Sequence, residues 1–542
     1  MAFLDLVLSF SYVQIGGALL GFLLLHSLWL GVWRLYFSPI SHIPGPKLAA
    51  LTWAYEFYYD IVLGGQYTFK IIELHKKYGP IIRINPEEVH VGDPDFYPVL
   101  YLGTNRRLEK WRFFTKQFGA DESALATIDH DLHKLRRAAI NPFFSMQSVR
   151  KLQPAIEERV DALLDRLRNL PQKPINLMYP FSAFTNDVIN EYAFAKSDHL
   201  IEDPDFGQAV TDNLLTGTHY GKWVQHVEVI LKFINALPEI ISANFVPGWS
   251  GFLKMKKDIL RQISDIKATE NTAKWEFDVS HPTIFHEMLS SKILPPQEKT
   301  IKRLGQEGQI LVQGGTLTTS WVLTLCTFHL LNQPDTLRQL RDELFKAIPD
   351  PHAVVPLAEL EQLPHLRAVI KESLRLGFGT SGRLARVCPD ETLTYTHHAG
   401  DGDQKKKYAI PPGTAVSMTT YKTVTDPDIF TDPFSFRPGR WLSAAGDEEE
   451  RLDRYLTVFG AGSRSCLGMA LAQAELFLMV AKLFRVWGGR GDDDARLPGD
   501  VGVVGVFETT VRDCEMASDY FIPIPYHGSK GVRAVFEANR NE

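Results

Sequence analysis

The chain has 542 residues, of which 45% are hydrophobic and 23% charged, with a formal net charge of −6 at pH 7. That supplies ample material for a core, and mixed charge with a slight acidic excess excludes a general nucleic-acid surface. Four isolated cysteines, Cys326, Cys388, Cys466 and Cys514, with no C-x-x-C pair, give no disulfide framework and argue against zinc, so the body suits a reducing compartment.

The first element, residues 1–36, reads as a membrane anchor. Between Met1 and Trp33 the only charge is Asp5, and Ile15 to Val32 is an apolar run interrupted only by His26 and Ser27, about the length that crosses a bilayer core. The alternative is a cleaved signal peptide, whose apolar region would be shorter and followed by a small-residue cleavage site. Arg34 and Lys47 lie on the C-terminal side of the run, which puts the body in the cytosol by the positive-inside bias. Pro39, Pro44, Gly45 and Pro46 make residues 37–46 a stiff turn. No Ser/Gly/Pro-rich linker or internal repeat divides residues 47–542, so one large domain is expected there. The charged stretches 400–407, 446–451 and 490–494 read as solvated loops.

From about Thr300 to Leu331 the sequence reads as one helix, roughly 50 Å long at ~1.5 Å per residue and ended by Asn332-Gln333-Pro334. Inside it lies Gly314-Gly315-Thr316-Leu317-Thr318-Thr319. Two adjacent helical glycines cost about 1 kcal/mol each relative to alanine, so they need a reason, either close helix packing or room for a ligand. Thr318 follows Gly314 by one turn, so its hydroxyl is expected to bond back to that carbonyl and open the helix locally. In residues 363–376, Pro364 fits a first helical position and Leu366, Val369, Ile370 and Leu374 recur at helical spacing, which sets Glu372 and Arg375 one turn apart on one face. In isolation that pair reads as a surface ion pair.

The stretch Phe459-Gly460-Ala461-Gly462-Ser463-Arg464-Ser465-Cys466-Leu467-Gly468 holds one cysteine in a tight loop with a cation two residues before it. Gly460, Gly462 and Gly468 let backbone approach a flat ligand, and amides aimed at the sulfur would stabilise a thiolate. Arg464 is expected to meet a carboxylate. The apolar run Met469 to Phe484 reads as a helix whose N-terminal dipole favours an anion. The alternative for Cys466 is a packed, inert thiol.

The spacing F-x-x-G-x-R-x-C-x-G, carried by Phe459, Gly462, Arg464, Cys466 and Gly468, resembles the haem-binding loop of the cytochrome P450 family, in which the cysteine thiolate is the axial iron ligand. Glu372-x-x-Arg375 resembles that family's structural pair, and Phe436-Arg437-Pro438-Gly439-Arg440-Trp441 supplies its third member, Arg440, with Gly439 where the family usually has Glu. The resemblance makes Arg464, Arg383 in Arg383-Leu384-Ala385-Arg386-Val387, and Arg137 the haem-propionate contacts; His133 to Arg137 resembles W-x-x-x-R with His in place of Trp. The Gly314 to Thr319 run resembles the oxygen-activation motif, except that Leu317 replaces the usual acid, so protons need another route, through Thr318, Thr319, water or a substrate group. Tyr78-Gly79-Pro80-Ile81-Ile82-Arg83 and Phe521-Ile522-Pro523 extend the resemblance over nearly the whole chain. Ile43-Pro44-Gly45-Pro46-Lys47 and Asn141-Pro142-Phe143-Phe144-Ser145 look like filamentous-fungal members acting in secondary metabolism.

The resemblance implies a mainly α fold with small β-sheets, a single haem-enclosing domain behind the N-terminal transmembrane helix. It implies haem b, electrons from NADPH through a cytochrome P450 reductase, cytochrome b5 as a further candidate partner, and a single-pass endoplasmic-reticulum membrane protein with its catalytic domain in the cytosol. The activity implied is insertion of one oxygen atom from O2 into a lipophilic small molecule, with Cys466 and Thr318 catalytic and a terpenoid or polyketide intermediate as the substrate type. Lys134, Arg451 and Arg454 are candidate reductase contacts, with solvated charge as the alternative. The missing acid keeps open an electron-neutral haem-thiolate isomerase or dehydratase, and a haem sensor without turnover is a third reading.

Overall fold

The structure is a computed structural model that describes residues 12–102, 106–229, 249–269, 281–398, 405–443, 447–491 and 496–539. Residues 1–11 of the expected anchor, and positions 400–404, 446 and 492–494 of the charged loops, lie outside the described residues. The architecture is mainly helical with small sheets, as the resemblance implies. The chain divides into two units, one of Met1–Phe96 with Ala385–Met418 and the other of Tyr97–Leu384 with Thr419–Glu542.

In the first unit, the apolar run folds as helix α1 (Tyr12–Val32), continued by a wider turn over Trp33–Phe37, and none of α1 is buried. Its interior hydroxyl, Ser27, donates to Leu23 O at 2.7 Å, one turn back along the helix. Helix α2 (Tyr67–Tyr78) packs Tyr67, Ile71 and Leu74 on Ile82 and Ile84 and ends at Gly79, whose φ of 97° suits glycine. Strand β1 (Ile81–Arg83) pairs antiparallel with β2 (Glu88–Val91), Ile81 opposite Val91. From the distant segment of the unit, β3 (Arg386–Val387) precedes the hairpin of β4 (Leu393–His398) and β5 (Lys405–Ile410), and β6 (Ala415–Ser417) lies parallel to β2 and antiparallel to β3. The proline-rich turn is fastened to this sheet: Arg83 N donates to Pro44 O at 2.7 Å, and a side chain at Gly45 would collide with Arg83 O. Arg83 also donates to Arg34 O at 2.7 Å, and Arg34 to Leu51 O at 2.6 Å.

The second unit carries the long helices. Helix α3 (His130–Ile140) is capped by Asp129, which accepts from Leu132 N at 2.7 Å, and α4 (Met146–Arg168) by Ser145. Helix α5 (Met178–Phe194) is buried continuously from Pro180 to Phe194. It is followed by α6 (Gln208–His226), by α7 (Ile301–Leu331), whose cap Thr300 accepts from Arg303 N at 3.2 Å, by α8 (Pro364–Gly377) and by α9 (Met469–Val486). Beyond α9, β7 (Trp487–Gly489) runs parallel to β8 (Gly502–Val506). The short strands β9 (Ser518–Tyr520) and β10 (Ile522–Ile524) form a hairpin turning at Phe521, and β11 (Arg533–Ala538) pairs with β8 and with Ile175–Asn176.

The paired glycines of α7 have separate reasons. A methyl group on Gly315 would come within 2.8 Å of Ile189 Cγ1, so that glycine serves close packing against α5, which is further tied by Thr185 Oγ1 donating to Thr316 O and Asn186 Nδ2 to Thr316 Oγ1, both at 3.0 Å. Gly314 is exposed midway along an otherwise well-covered helix and would meet nothing within 4 Å. Thr318 Oγ1 donates to Gly314 O at 2.8 Å. The expected local opening is absent: α7 runs unbroken through 314–318, because the hydroxyl adds its bond at a carbonyl that stays in the helical ladder.

Candidate active site

The cysteine loop is held open by its glycines. Gly460 and Gly462 sit at φ 65° and 69°, and a Cβ on Gly462 would collide with Tyr101 O. Tyr101 in turn donates its hydroxyl to Leu384 O at 2.8 Å, and Leu384 approaches Gly460, so the segment that carries Arg383 lies against the loop. Cys466 N donates to Phe459 O at 2.7 Å and closes the turn, while Gly468 begins α9 without a side-chain cap. Arg464 is anchored to backbone. It reaches three backbone carbonyls, Thr127 O at 2.6 Å, Ile128 O at 2.9 Å and Asp129 O at 3.3 Å, because the chain entering α3 presents them together within its span.

Cys466 is reachable by solvent, yet enough protein surrounds it that burial pushes its thiol pKa up; the Gly468 amide bonded to the sulfur and the charge of Arg137 push it back down. Burial lowers the pKa of Arg137 while the fields of Cys466 and Glu307 raise it, and its Nε donates to Asn141 Oδ1 at 2.5 Å. Nearby, Arg136 hydrogen-bonds Glu298 at 2.7 Å, and Arg303 pairs by charge with Glu307 at 2.7 Å and with Glu298 at 3.3 Å. Three guanidiniums against two carboxylates leave one positive charge in low dielectric, which an anionic group would balance. A flat iron macrocycle with carboxylate edges and one thiolate ligand fits this donor set. No cluster of metal-ligating side chains includes Cys466 among the described residues. His133 is buried, and Arg383 forms an isolated bridge with Thr419.

Glu372 and Arg375 are each 0% exposed, so the surface-pair reading is set aside. Arg375 clasps Glu372 at 2.9 and 2.8 Å, and the same carboxylate accepts from Arg440 Nε at 3.1 Å, Trp441 Nε1 at 3.0 Å and Arg437 N at 2.9 Å. Burial alone would raise this carboxyl, but the two guanidiniums and the amide hold it below the usual carboxylate range. Of the candidate reductase contacts, Lys134 is exposed, Arg451 is paired locally with Glu448 at 2.8 Å, and Arg454 donates to Tyr455 Oη at 2.6 Å.

A cavity of about 400 Å³ opens beside Thr318, lined also by Leu317, Met178, Leu215, His219 and Ile522. Leu317 packs with Leu214 and Ile522, so the position where an acid was looked for is part of an apolar wall. One carboxyl escaped the sequence reading. Glu475 on α9 is 1% exposed, hydrogen-bonded to Thr319, and pushed by burial well above the carboxylate range, with Oε1 unpartnered. Its signal was a lone acid in the apolar run Met469 to Phe484.

The chain belongs to the cytochrome P450 family: the family's sequence profile, described as Cytochrome P450, matches residues 44–487. Cytochrome P450 monooxygenase tpcC of Cochliobolus heterostrophus is 43% identical over 93% of this chain and 94% of its own length. Cytochrome P450 monooxygenase astB of Talaromyces wortmannii is 40% identical over 97% and 98%, and N-acetyltryptophan 6-hydroxylase ivoC of Emericella nidulans 38% identical over 98% and 98%. The protein is therefore an oxidoreductase of the monooxygenase class, with haem held by a thiolate and electrons delivered by a redox partner. Its one long apolar N-terminal helix fits a membrane anchor.

Proposed function

We propose that this protein is an endoplasmic-reticulum-anchored monooxygenase that uses haem b and NADPH-derived electrons from a reductase to place one oxygen atom on a lipophilic intermediate of secondary metabolism. The single observation that carries the reading is Cys466, deep yet reachable, with the Gly468 amide on its sulfur and Arg137 in its field. When bound, the thiolate-ligated haem supplies the oxygen-activating chemistry. The chain's own work is to hold, orient and exclude. Arg137, Arg383 and Arg464 supply the cationic edge, and the Glu372, Arg375 and Arg440 network keeps the segment 431–441 in place. Leu317, Met178, Leu215 and Ile522 form the apolar part of the cavity wall, and Thr318 holds a hydroxyl beside it. Two relatives are named as a tryptophan or N-acetyltryptophan 6-hydroxylase, which supports aromatic ring oxidation alongside terpenoid and polyketide skeletons as the substrate type. Cytochrome b5 is a candidate second donor.

Feeding lipophilic intermediates to a host that expresses the protein with its reductase, under isotopically labelled dioxygen, tests this. A product that gains one labelled oxygen atom is expected. A second reading, electron-neutral rearrangement or dehydration, is favoured by Leu317 in place of the acid. Product without label or NADPH consumption would establish that one instead.

A further inference from the structure

We infer that His219 is a specificity residue that accepts a hydrogen bond from the substrate, so that the cavity selects molecules bearing a phenolic O–H or an aromatic ring N–H. This deepens the proposed oxygenase reading and rests on it. His219 on α6 and Thr318 on α7 line the same cavity of about 400 Å³, so a molecule touching one is presented to the other. The ring's tautomer is set by its surroundings. Nδ1 lies 3.0 Å from Leu215 O, and a carbonyl only accepts, so Nδ1 carries the proton. In the neutral ring Nε2 is then an acceptor without hydrogen.

That acceptor is both available and oriented. Nε2 has no hydrogen-bond partner among the described residues, and it is not one of the sealed polar atoms. The imidazole lies against Tyr520, ring centroids 4.1 Å apart and planes 33° apart, so stacking and the Leu215 bond together fix where Nε2 points. A ligand thus meets a pre-positioned acceptor in a cavity whose wall mixes apolar side chains such as Leu215, Leu317, Met178 and Ile522 with polar ones such as Tyr179 and Asp513. A ligand that fills the cavity displaces water from Nε2. One with a donor there restores the bond; one without leaves a desolvated acceptor unpaired.

The test uses full-length, haem-loaded protein and three probes of one shape: 2-naphthol, 2-methoxynaphthalene and 2-naphthoate. Binding is read from the substrate-induced Soret shift and, independently, from quenching of naphthyl fluorescence. Wild type is expected to bind 2-naphthol about 2–10-fold more tightly than 2-methoxynaphthalene, the span of one net hydrogen bond. His219→Phe should abolish that ratio by weakening 2-naphthol alone, and His219→Gln, which keeps an acceptor oxygen, should restore part of it. Unchanged affinity for 2-methoxynaphthalene shows that the variants are folded. Equal affinities in wild type, or a ratio kept by His219→Phe, would overturn the inference. So would a preference for 2-naphthoate that His219→Phe removes, since the ring would then be acting as a cation. The reduced, carbon monoxide-bound Soret band of the same samples reports on the haem-thiolate reading separately. Its absence defeats that reading, whereas a normal band with an unmoved ratio defeats only this one.

Discussion

A thiol must lose its proton to hold iron, and in the protein chain burial resists that loss while the Gly468 amide and Arg137 assist it. Cys466→Ala is accordingly expected to abolish both turnover and the red-shifted Soret band of the reduced, carbon monoxide-bound protein; a surviving band would place the ligand elsewhere. The residue before Thr318 in the chain is not an acid but Leu317, which is committed to the apolar wall. Thr318→Ala should therefore keep NADPH consumption while product falls and peroxide appears, within the roughly 10²–10⁴-fold range of acid–base contributions. Equal coupling in both proteins would remove Thr318 from proton handling. Glu475 carries a different consequence, for stability against pH. Its folded pKa is raised, so above the ordinary glutamate range the unfolded chain releases a proton that the folded chain keeps. Stability then falls as pH rises, by up to about 1.4 kcal/mol per unit, until the folded group also ionises. Glu475→Gln should flatten that slope, seen as a thermal-stability advantage over wild type that widens as pH rises above the ordinary glutamate range.

Helix α7 separates two glycines that adjacent positions would make equivalent. Gly315→Ala forces a methyl to within 2.8 Å of Ile189, an overpacking of about 1–3 kcal/mol that outweighs the ~1 kcal/mol gained in helix propensity. Gly314→Ala meets open space and keeps that gain. Apparent melting temperatures at one scan rate should therefore fall for the first variant and hold or rise for the second. In α8, Glu372 serves two guanidiniums, an indole and an amide at once. Glu372→Ala leaves Arg375 charged with no carboxylate in the interior, a cost of about 3–5 kcal/mol, and little haem-loaded protein should be recovered. Normal yield and stability would show the network to be dispensable.

At the scale of the molecule, α1 is long, apolar and uncovered. Alkaline carbonate washing should leave the full-length protein in the membrane pellet, and release to the supernatant would argue for a peripheral helix. Local sequence patterns reached a long way here. The cap Thr300 and the stop at Asn332 bound α7, Pro364 opens α8, and four-residue spacing put Thr318 Oγ1 on Gly314 O. What spacing lacked was anything decided by a partner far along the chain. Arg464 finds carbonyls 335–337 residues away, Gly315 is constrained by Ile189, and the His219 ring is held in orientation by Tyr520. The proline-rich turn shows what such a remote partner changes. Its own residues make it a stiff turn, and beyond that Pro44 O, Arg34 O and the glycine face of Gly45 are all taken up by Arg83. A joint clamped at three points transmits torque. Tilting of α1 as bilayer thickness changes would therefore turn β1 and β2 with it, making lipid composition a mechanical input to the first unit, and Gly45→Ala, which prises the clamp open, would disconnect the two.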